Sequence, residues 1–134
     1  MKFEVKRKYN LNVPSWDEII KNLQYSIDNE LPVEKKEDFV VCHDAYLIKE
    51  VMKMMGKLKA SSAHLYINFY PKTDTFGKHD DFVDVIFWQV QGKTLWEVNK
   101  KKYTLNPGDI ICIPKLVMHD VKPLTIRAGI SFSI

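Results

Sequence analysis

The chain has 134 residues, of which 46% are hydrophobic and 28% charged, and its formal net charge is +3. This length suits one domain with a buried core, and so mild a charge does not indicate nucleic-acid binding. No apolar run approaches the roughly 20 residues of a membrane span, and the N-terminus lacks an apolar signal segment. Cys42 and Cys112 lie far apart within apolar runs, which predicts buried thiols in a reducing compartment. We therefore expect a cytoplasmic protein that does not enter a membrane.

The N-terminal part predicts a short strand and lead-in over residues 1–14, followed by a first helix. Ser15 and Glu18 have the spacing of a capping box. Apolar residues then recur on one helical face, which predicts a helix from about Ser15 to Asn29. That face comprises Trp16, Ile19, Ile20, Leu23 and Ile27.

A second helix is predicted after the short apolar run 39–42. Asp44 is its expected N-terminal cap, and Gly56 its expected end. Its apolar face comprises Leu47, Ile48, Val51, Met54 and Met55. Both helices would then cover one side of the β structure that follows.

From residue 61 onward the pattern is β throughout. Strands are expected at about residues 63–70, 83–90, 95–98, 103–105, 110–113 and 125–134. Helices followed by many strands predict an α+β, mainly β fold, namely a jelly-roll barrel (a double-stranded β-helix) with two N-terminal helices packed on it. We expect a single domain over residues 1–134, with a helical part of about 1–60 and a barrel of about 61–134.

Candidate metal ligands stand on either side of these strands. In an extended backbone His79 and Asp81 would point to one face and Asp80 to the other. His119 follows the strand-like run 110–113, and a barrel could return it beside the first pair. Two imidazoles and one carboxylate with open positions form the facial triad of non-heme Fe(II) oxygenases. The alternative is a surface Asp-Asp pair beside a solvated histidine.

Two groups of residues carry a family resemblance. Gly108, Pro114 and His119 keep the spacing of the second cupin motif, with Leu116 where that motif has a further glycine. His79-x-Asp81 resembles the first motif of the JmjC-like oxygenases within the cupin superfamily. The segments 76–81, 84–96 and 105–109 are similar to the ribosomal-oxygenase branch of that family.

The resemblance implies a cupin-like barrel that binds Fe(II) through His79, Asp81 and His119 and uses 2-oxoglutarate as cosubstrate to hydroxylate a C–H bond. The family suggests a protein side chain as substrate, and a small molecule stays open. Two other functions also remain: a metal-binding cupin with different chemistry, such as a 2-oxoglutarate-independent dioxygenase or isomerase, and a non-catalytic cupin binding module. A homodimer is one expected state.

The resemblance also implies residues for the cosubstrate. Thr94 stands where the family often has the lysine that holds the distal carboxylate, while Lys93 should face away from the barrel. Tyr66 resembles a cosubstrate-binding tyrosine. Arg127 resembles the arginine that some of these oxygenases place on the strand after the second histidine. Thr94 and Ser131 could each donate a hydroxyl hydrogen bond.

Overall fold

A computed structural model describes residues 1–134, which form two helices and ten strands. In chain order these are β1 (Glu4–Lys6), α1 (Trp16–Asp28), β2 (Val33–Lys36), β3 (Phe39–Cys42), α2 (Lys49–Leu58), β4 (Ser62–Asn68), β5 (Val85–Gln91), β6 (Thr94–Val98), β7 (Lys101–Leu105), β8 (Ile110–Ile113), β9 (His119–Pro123) and β10 (Arg127–Ser133). Neither helix is long and apolar enough to cross a membrane.

The predicted capping box of α1 is confirmed. The Ser15 hydroxyl accepts from the Glu18 backbone N–H at 3.2 Å, and the Glu18 carboxylate accepts from the Ser15 N–H at 3.3 Å. Asn29 caps the C-terminus, as expected. The buried face is narrower than predicted, because Ile19 is fully buried while Ile27 is 54% exposed.

The predicted boundaries of α2 are wrong. The N-terminal cap is Ile48, without a side-chain hydrogen bond, rather than Asp44. The Asp44 segment instead docks on α1, where its carbonyl accepts from the Asn22 side chain at 3.0 Å. Gly56 lies inside the helix, which ends at Leu58 and is capped by Lys59 in the left-handed region with φ 55°. Buried Ile48 fixes the start of the helix by packing, which a capping pattern does not reveal.

The strands form two antiparallel sheets. The large sheet has the order β1-β8-β5-β10-β4-β3-β2, and the small sheet has the order β7-β6-β9. Three strands of the large sheet, β1, β2 and β3, come from the first 60 residues, so this part is not only helical. The strands β2 and β9 were not predicted from the sequence.

The large sheet is buried on both sides. Its outer face packs against α1 and α2 in an apolar cluster whose sheet members include Leu65, Trp88, Ile130 and Phe132. Its inner face meets the small sheet, where a second cluster includes Phe87, Trp96 and Ile111. Side chains alternate between these two faces along each strand.

Residues 69–84, here called the covering segment, lie along the open edge of β9. The predicted strand at 79–81 is reduced to one bridge, in which the backbones of His79 and His119 exchange hydrogen bonds of 3.0 and 2.9 Å. Farther along, the Thr75 hydroxyl donates to the Val121 carbonyl at 2.9 Å. The covering segment therefore takes the place of a fourth strand in the small sheet.

Candidate metal centre

The structure brings His79, Asp81 and His119 together. Their ligating atoms all lie within 4.8 Å of one another. The Asp81 carboxylate lies 3.4 Å from His119 Nε2 and 3.9 Å from His79 Nε2. Asp80 is exposed, whereas His79 and Asp81 are partly buried, as the predicted alternation requires.

Backbone carbonyls orient both imidazoles. His79 Nδ1 donates to the Gly77 carbonyl at 2.7 Å, and His119 Nδ1 donates to the Val117 carbonyl at 2.9 Å. Each Nε2 then presents a lone pair toward Asp81, which is how protein metal ligands are commonly held. Burial lowers the pKa of His119 and outweighs the hydrogen bond to Val117, which raises it. The neutral, metal-binding form of this ring is therefore favoured.

Thr94 does not reach the metal centre, but it acts on a neighbour of the centre. Its hydroxyl is fully buried, donates to Gln89 at 2.7 Å and accepts from the Trp96 indole N–H at 3.0 Å. The Trp96 ring in turn stacks on His119, with 5.7 Å between ring centroids and 22° between planes. Thr94 thus holds the aromatic wall behind one ligand, while Lys93 is exposed, as expected.

A cavity of about 190 Å³ extends from the metal centre between the two sheets. Typical pockets for drug-sized ligands occupy roughly 300–1,000 Å³, so this cavity suits a compact organic ligand. Its walls include all three candidate ligands together with Tyr66, Phe87, Trp96, Arg127 and Ser131.

Arg127 is an unpaired cation in the wall of this cavity. Its side chain is 1% exposed, its Nε donates to the Asn68 side chain at 2.8 Å, and one terminal nitrogen has no partner. The guanidinium lies 5.7 Å from the Phe39 ring centroid and 5.8 Å from that of Phe87. Burial lowers the pKa of Arg127 to about 9, which still leaves it charged at neutral pH. A buried charge is costly unless it is paired, so this position fits an anionic ligand group.

Tyr66 and Ser131 are neighbouring hydroxyl groups in the same wall. Burial raises the pKa of Tyr66, and the Asp81 carboxylate raises it further, while the Ser131 hydroxyl lowers it by a smaller amount. The phenol therefore stays protonated at neutral pH and can donate a hydrogen bond. Both residues lie on the inner face, where a ligand between Arg127 and the metal centre would meet them.

A family model described as JmjC domain matches residues 37–106 of the chain, slightly more than half of its length. The chain belongs to the JmjC domain family. The resemblance stated from the motifs is thereby confirmed, although the matched range ends before His119. No curated protein matches the chain.

Solved structures share the fold of this JmjC domain. The ribosomal oxygenase YcfD from Escherichia coli, in complex with cobalt and 2-oxoglutarate, aligns with a TM-score of 0.78 and 16% identity over 99% of this chain and 48% of that chain. A cupin superfamily protein from Desulfitobacterium hafniense aligns with a TM-score of 0.56 and 12% identity over 75% of this chain and 81% of that one. Salicylate 1,2-dioxygenase from Pseudoaminobacter salicylatoxidans aligns with a TM-score of 0.58 and 14% identity over 90% of this chain and 32% of that chain. These likenesses confirm the jelly-roll fold, and the chain spans about half the length of YcfD.

Several residues of the JmjC domain site were missed from the sequence. Asn68 orients Arg127, Trp96 supports His119, and His64 lines the cavity. Asn68 and His64 each lie two residues from Tyr66 on β4, so strand alternation could have placed all three on the inner face. His64 also contacts His43, with 2.8 Å between their Nδ1 atoms, and no sequence motif links these two residues.

Proposed function

We propose that this JmjC domain is an Fe(II)- and 2-oxoglutarate-dependent oxygenase that hydroxylates a C–H bond in a second substrate. One observation carries the proposal: the His79, Asp81 and His119 cluster and the unpaired guanidinium of Arg127 line the same cavity. A metal site alone would fit many cupin-fold proteins. A buried cation in the same compact cavity adds the requirement for an anionic ligand.

The ligand atoms of His79, Asp81 and His119 suit Fe(II). Imidazole nitrogen and carboxylate oxygen are the ligands of the facial triad, which leaves positions open for other ligands. His79 and His119 would bind through Nε2, because their Nδ1 atoms already donate to backbone carbonyls. Asp81 would bind through its carboxylate and complete one face.

The cavity wall fits the distal carboxylate of 2-oxoglutarate, which is the carboxylate that does not bind the metal. Arg127 would hold the distal carboxylate through its unpaired nitrogen, and Tyr66 and Ser131 would add hydroxyl hydrogen bonds. Hydrogen bonds to charged groups are stronger than neutral ones. Thr94 is not assigned this role, because its hydroxyl is already occupied by Gln89 and Trp96.

When bound, the iron and 2-oxoglutarate supply the oxidative chemistry, in which dioxygen is consumed, 2-oxoglutarate is converted to succinate and CO₂, and a substrate C–H bond is hydroxylated. The chain contributes positioning and a dry environment. Phe39, Phe87 and Trp96 surround the guanidinium and the His119 ring with apolar surface, which excludes water and strengthens electrostatic contacts. The free, buried thiols of Cys42 and Cys112 support the further proposal that the protein works in the cytoplasm.

A protein side chain is the proposed substrate. Apolar side chains are exposed around the metal centre, with Phe82 88%, Leu116 58% and Phe76 47% exposed. Phe82 directly follows the ligand Asp81. Exposed apolar clusters commonly mark binding surfaces, and YcfD is itself a ribosomal oxygenase. A small apolar molecule would be the other substrate to test.

The test is anaerobic loading with Fe(II), followed by addition of 2-oxoglutarate. We expect about one iron per chain, the visible band of a metal-chelated keto acid, and succinate once oxygen is admitted. Asp81→Ala should abolish iron binding, while the adjacent, exposed Asp80→Ala should retain it and serves as the matched control. Iron binding without a band or succinate at millimolar 2-oxoglutarate would favour a cupin with other chemistry, and retention of iron by Asp81→Ala would contradict the metal site itself.

A further inference from the structure

A second pair of histidines, His43 and His64, lies at one end of β3 and β4, and His64 lines the same cavity as the triad. The register of β3 and β4, in which Cys42 pairs with Leu65, continues to place His43 opposite His64. Their Nδ1 atoms lie 2.8 Å apart, and their rings are nearly perpendicular at 87°. Two imidazole nitrogens therefore lie within hydrogen-bonding distance of each other at the end of these strands.

The far nitrogen of each ring is also held. His43 Nε2 lies 3.1 Å from the Glu34 carboxylate, and His64 Nε2 lies 3.2 Å from the Ser62 hydroxyl. Because a carboxylate only accepts hydrogen bonds, His43 Nε2 carries the proton, and the lone pair of His43 Nδ1 in the neutral ring accepts from His64 Nδ1. Carboxylate and hydroxyl partners of this kind orient histidines that bind metals.

We propose that His43 and His64 form a second metal site, the two-histidine site, which binds a divalent transition metal through both Nδ1 atoms. Without metal, His64 Nδ1 donates to His43 Nδ1. On metal binding that proton moves to His64 Nε2, and the Ser62 hydroxyl changes from donor to acceptor. Both rings remain neutral, and no proton is lost from the pair. Water would complete the coordination.

The geometry favours metals that accept ligands at right angles. If the two nitrogens kept their separation of 2.8 Å, metal–nitrogen bonds of about 2.0–2.1 Å would give an angle of roughly 84–89° at the metal. Ni²⁺ and Cu²⁺ commonly adopt square-planar or tetragonal geometry with nitrogen and oxygen ligands. They are therefore better candidates for this site than tetrahedral Zn²⁺.

The electrostatic setting also suits metal binding. Burial lowers the pKa of His64, and neighbouring His43 lowers it further, so the ring is unprotonated and available at neutral pH. The Glu34 carboxylate provides a negative charge next to the pair. His64 also lines the cavity of the metal centre, so the second ion would lie against the wall of that cavity without sharing a ligand with the triad.

The test measures Ni²⁺ binding in the full chain after the triad has been removed. The His79→Ala/His119→Ala variant should still bind about one Ni²⁺ per chain in equilibrium dialysis with metal analysis. Adding His64→Gln should abolish that binding. The same variant loaded with Cu²⁺ should give an electron paramagnetic resonance spectrum with hyperfine structure from two imidazole nitrogens. These measurements do not depend on whether the triad supports oxygenase activity.

Glu34→Gln is the matched control for folding, because Glu34 is largely exposed and the substitution removes only its charge. It should weaken Ni²⁺ binding by about 10- to 100-fold, the usual effect of losing a partner of a ligating histidine, and leave the thermal melt unchanged. The proposal is overturned if the triad variant binds no Ni²⁺ at millimolar concentration. It is equally overturned if His64→Gln leaves that binding unchanged.

Discussion

The two faces of the large sheet are built from the same strands but from different side chains. On β4 and β10 the outer face carries Leu65 and Phe132, which belong to the apolar cluster under the helices. One residue away, the inner face carries Tyr66 and Ser131, which line the cavity. Because neighbouring residues of a strand point to opposite faces, stability and ligand binding are assigned to alternate positions. The two properties should therefore respond to different substitutions.

The largest expected effect is on the outer face. Phe132→Ala should lower the free energy of unfolding by about 3–5 kcal/mol, the usual loss for a buried aromatic side chain, because Phe132 is fully buried. Ser131→Ala, at the adjacent position, should lower it by about 1 kcal/mol at most. Urea denaturation measures both values. Similar losses for the two variants would contradict the division between the faces.

The next largest effect is expected on the inner face, under the proposed function. Asn68→Asp places a carboxylate where the amide oxygen lies 2.8 Å from Arg127 Nε, so the guanidinium gains an internal counter-charge. Affinity for 2-oxoglutarate should fall by about 1.5–3 kcal/mol, or roughly ten- to a hundredfold, as it should for Arg127→Ala. Titration of the keto-acid band measures this change, and iron affinity should stay constant. Unchanged 2-oxoglutarate affinity in both variants would remove Arg127 from the site.

A smaller effect is expected at the connection from the small sheet to the large one. The Asp109 carboxylate accepts hydrogen bonds of 2.9 Å from the backbone N–H groups of Lys8 and Asn106 and from Arg7. Burial raises the pKa of Asp109, but these bonds outweigh it and hold the pKa below its ordinary value of 3.8. Asp109→Asn should therefore lower the free energy of unfolding by about 1–3 kcal/mol at pH 7.

The pH dependence of that loss follows from the direction of the shift. A carboxylate whose pKa is lowered in the folded state stabilises the protein at pH values above its pKa in the unfolded state. This contribution is lost as the pH falls through its pKa in the folded state. The difference between wild type and Asp109→Asn should thus be constant above about pH 5 and shrink below pH 3.8. Urea denaturation at pH 7, 5 and 3 provides the measurement. A difference that grows toward acid would contradict the assignment.

The smallest effect is expected at Leu116, in the connection between β8 and β9. Leu116 has a φ of 64°, in the left-handed region, at the position where the resembled cupin motif has glycine. Because a side chain costs about 1–2 kcal/mol in this conformation, Leu116→Gly should raise the free energy of unfolding by up to about 1 kcal/mol. Thermal unfolding measures this change in stability. Lys59→Gly is the matched control, because Lys59 has a similar φ of 55°. A lower melting temperature for Leu116→Gly alone would indicate that the leucine side chain stabilises the fold.

The elements predicted correctly from the sequence are those with local signals. The capping box at Ser15 and Glu18 fixes the start of α1, and apolar alternation locates the central strands. The His79 and Asp81 spacing also holds, because alternation requires only an extended backbone. Gly108, Pro114 and His119 then identify the return of the chain to the same site.

The features that the sequence did not reveal depend on pairing between distant segments. The exposed edge strand β2, with the sequence Val-Glu-Lys-Lys, has no apolar alternation to mark it. The approach of His43 to His64 depends on the register of β3 and β4. Likewise, the hydroxyl of Thr94 already binds Gln89 and Trp96. Whether Thr94 can bind the cosubstrate therefore depends on neighbours that the motif does not specify.

The covering segment gives metal binding a second consequence, which concerns aggregation. It shields the carbonyl groups along the edge of β9 through a few hydrogen bonds, including those of His79 and Thr75. Two of the three candidate ligands lie on the covering segment, and the third, His119, lies on the edge strand β9. A bound ion would therefore link the covering segment to β9. An uncovered strand edge is a template for pairing with another chain. Under the proposed function, a metal at this position would therefore protect the protein from self-association as well as support the reaction.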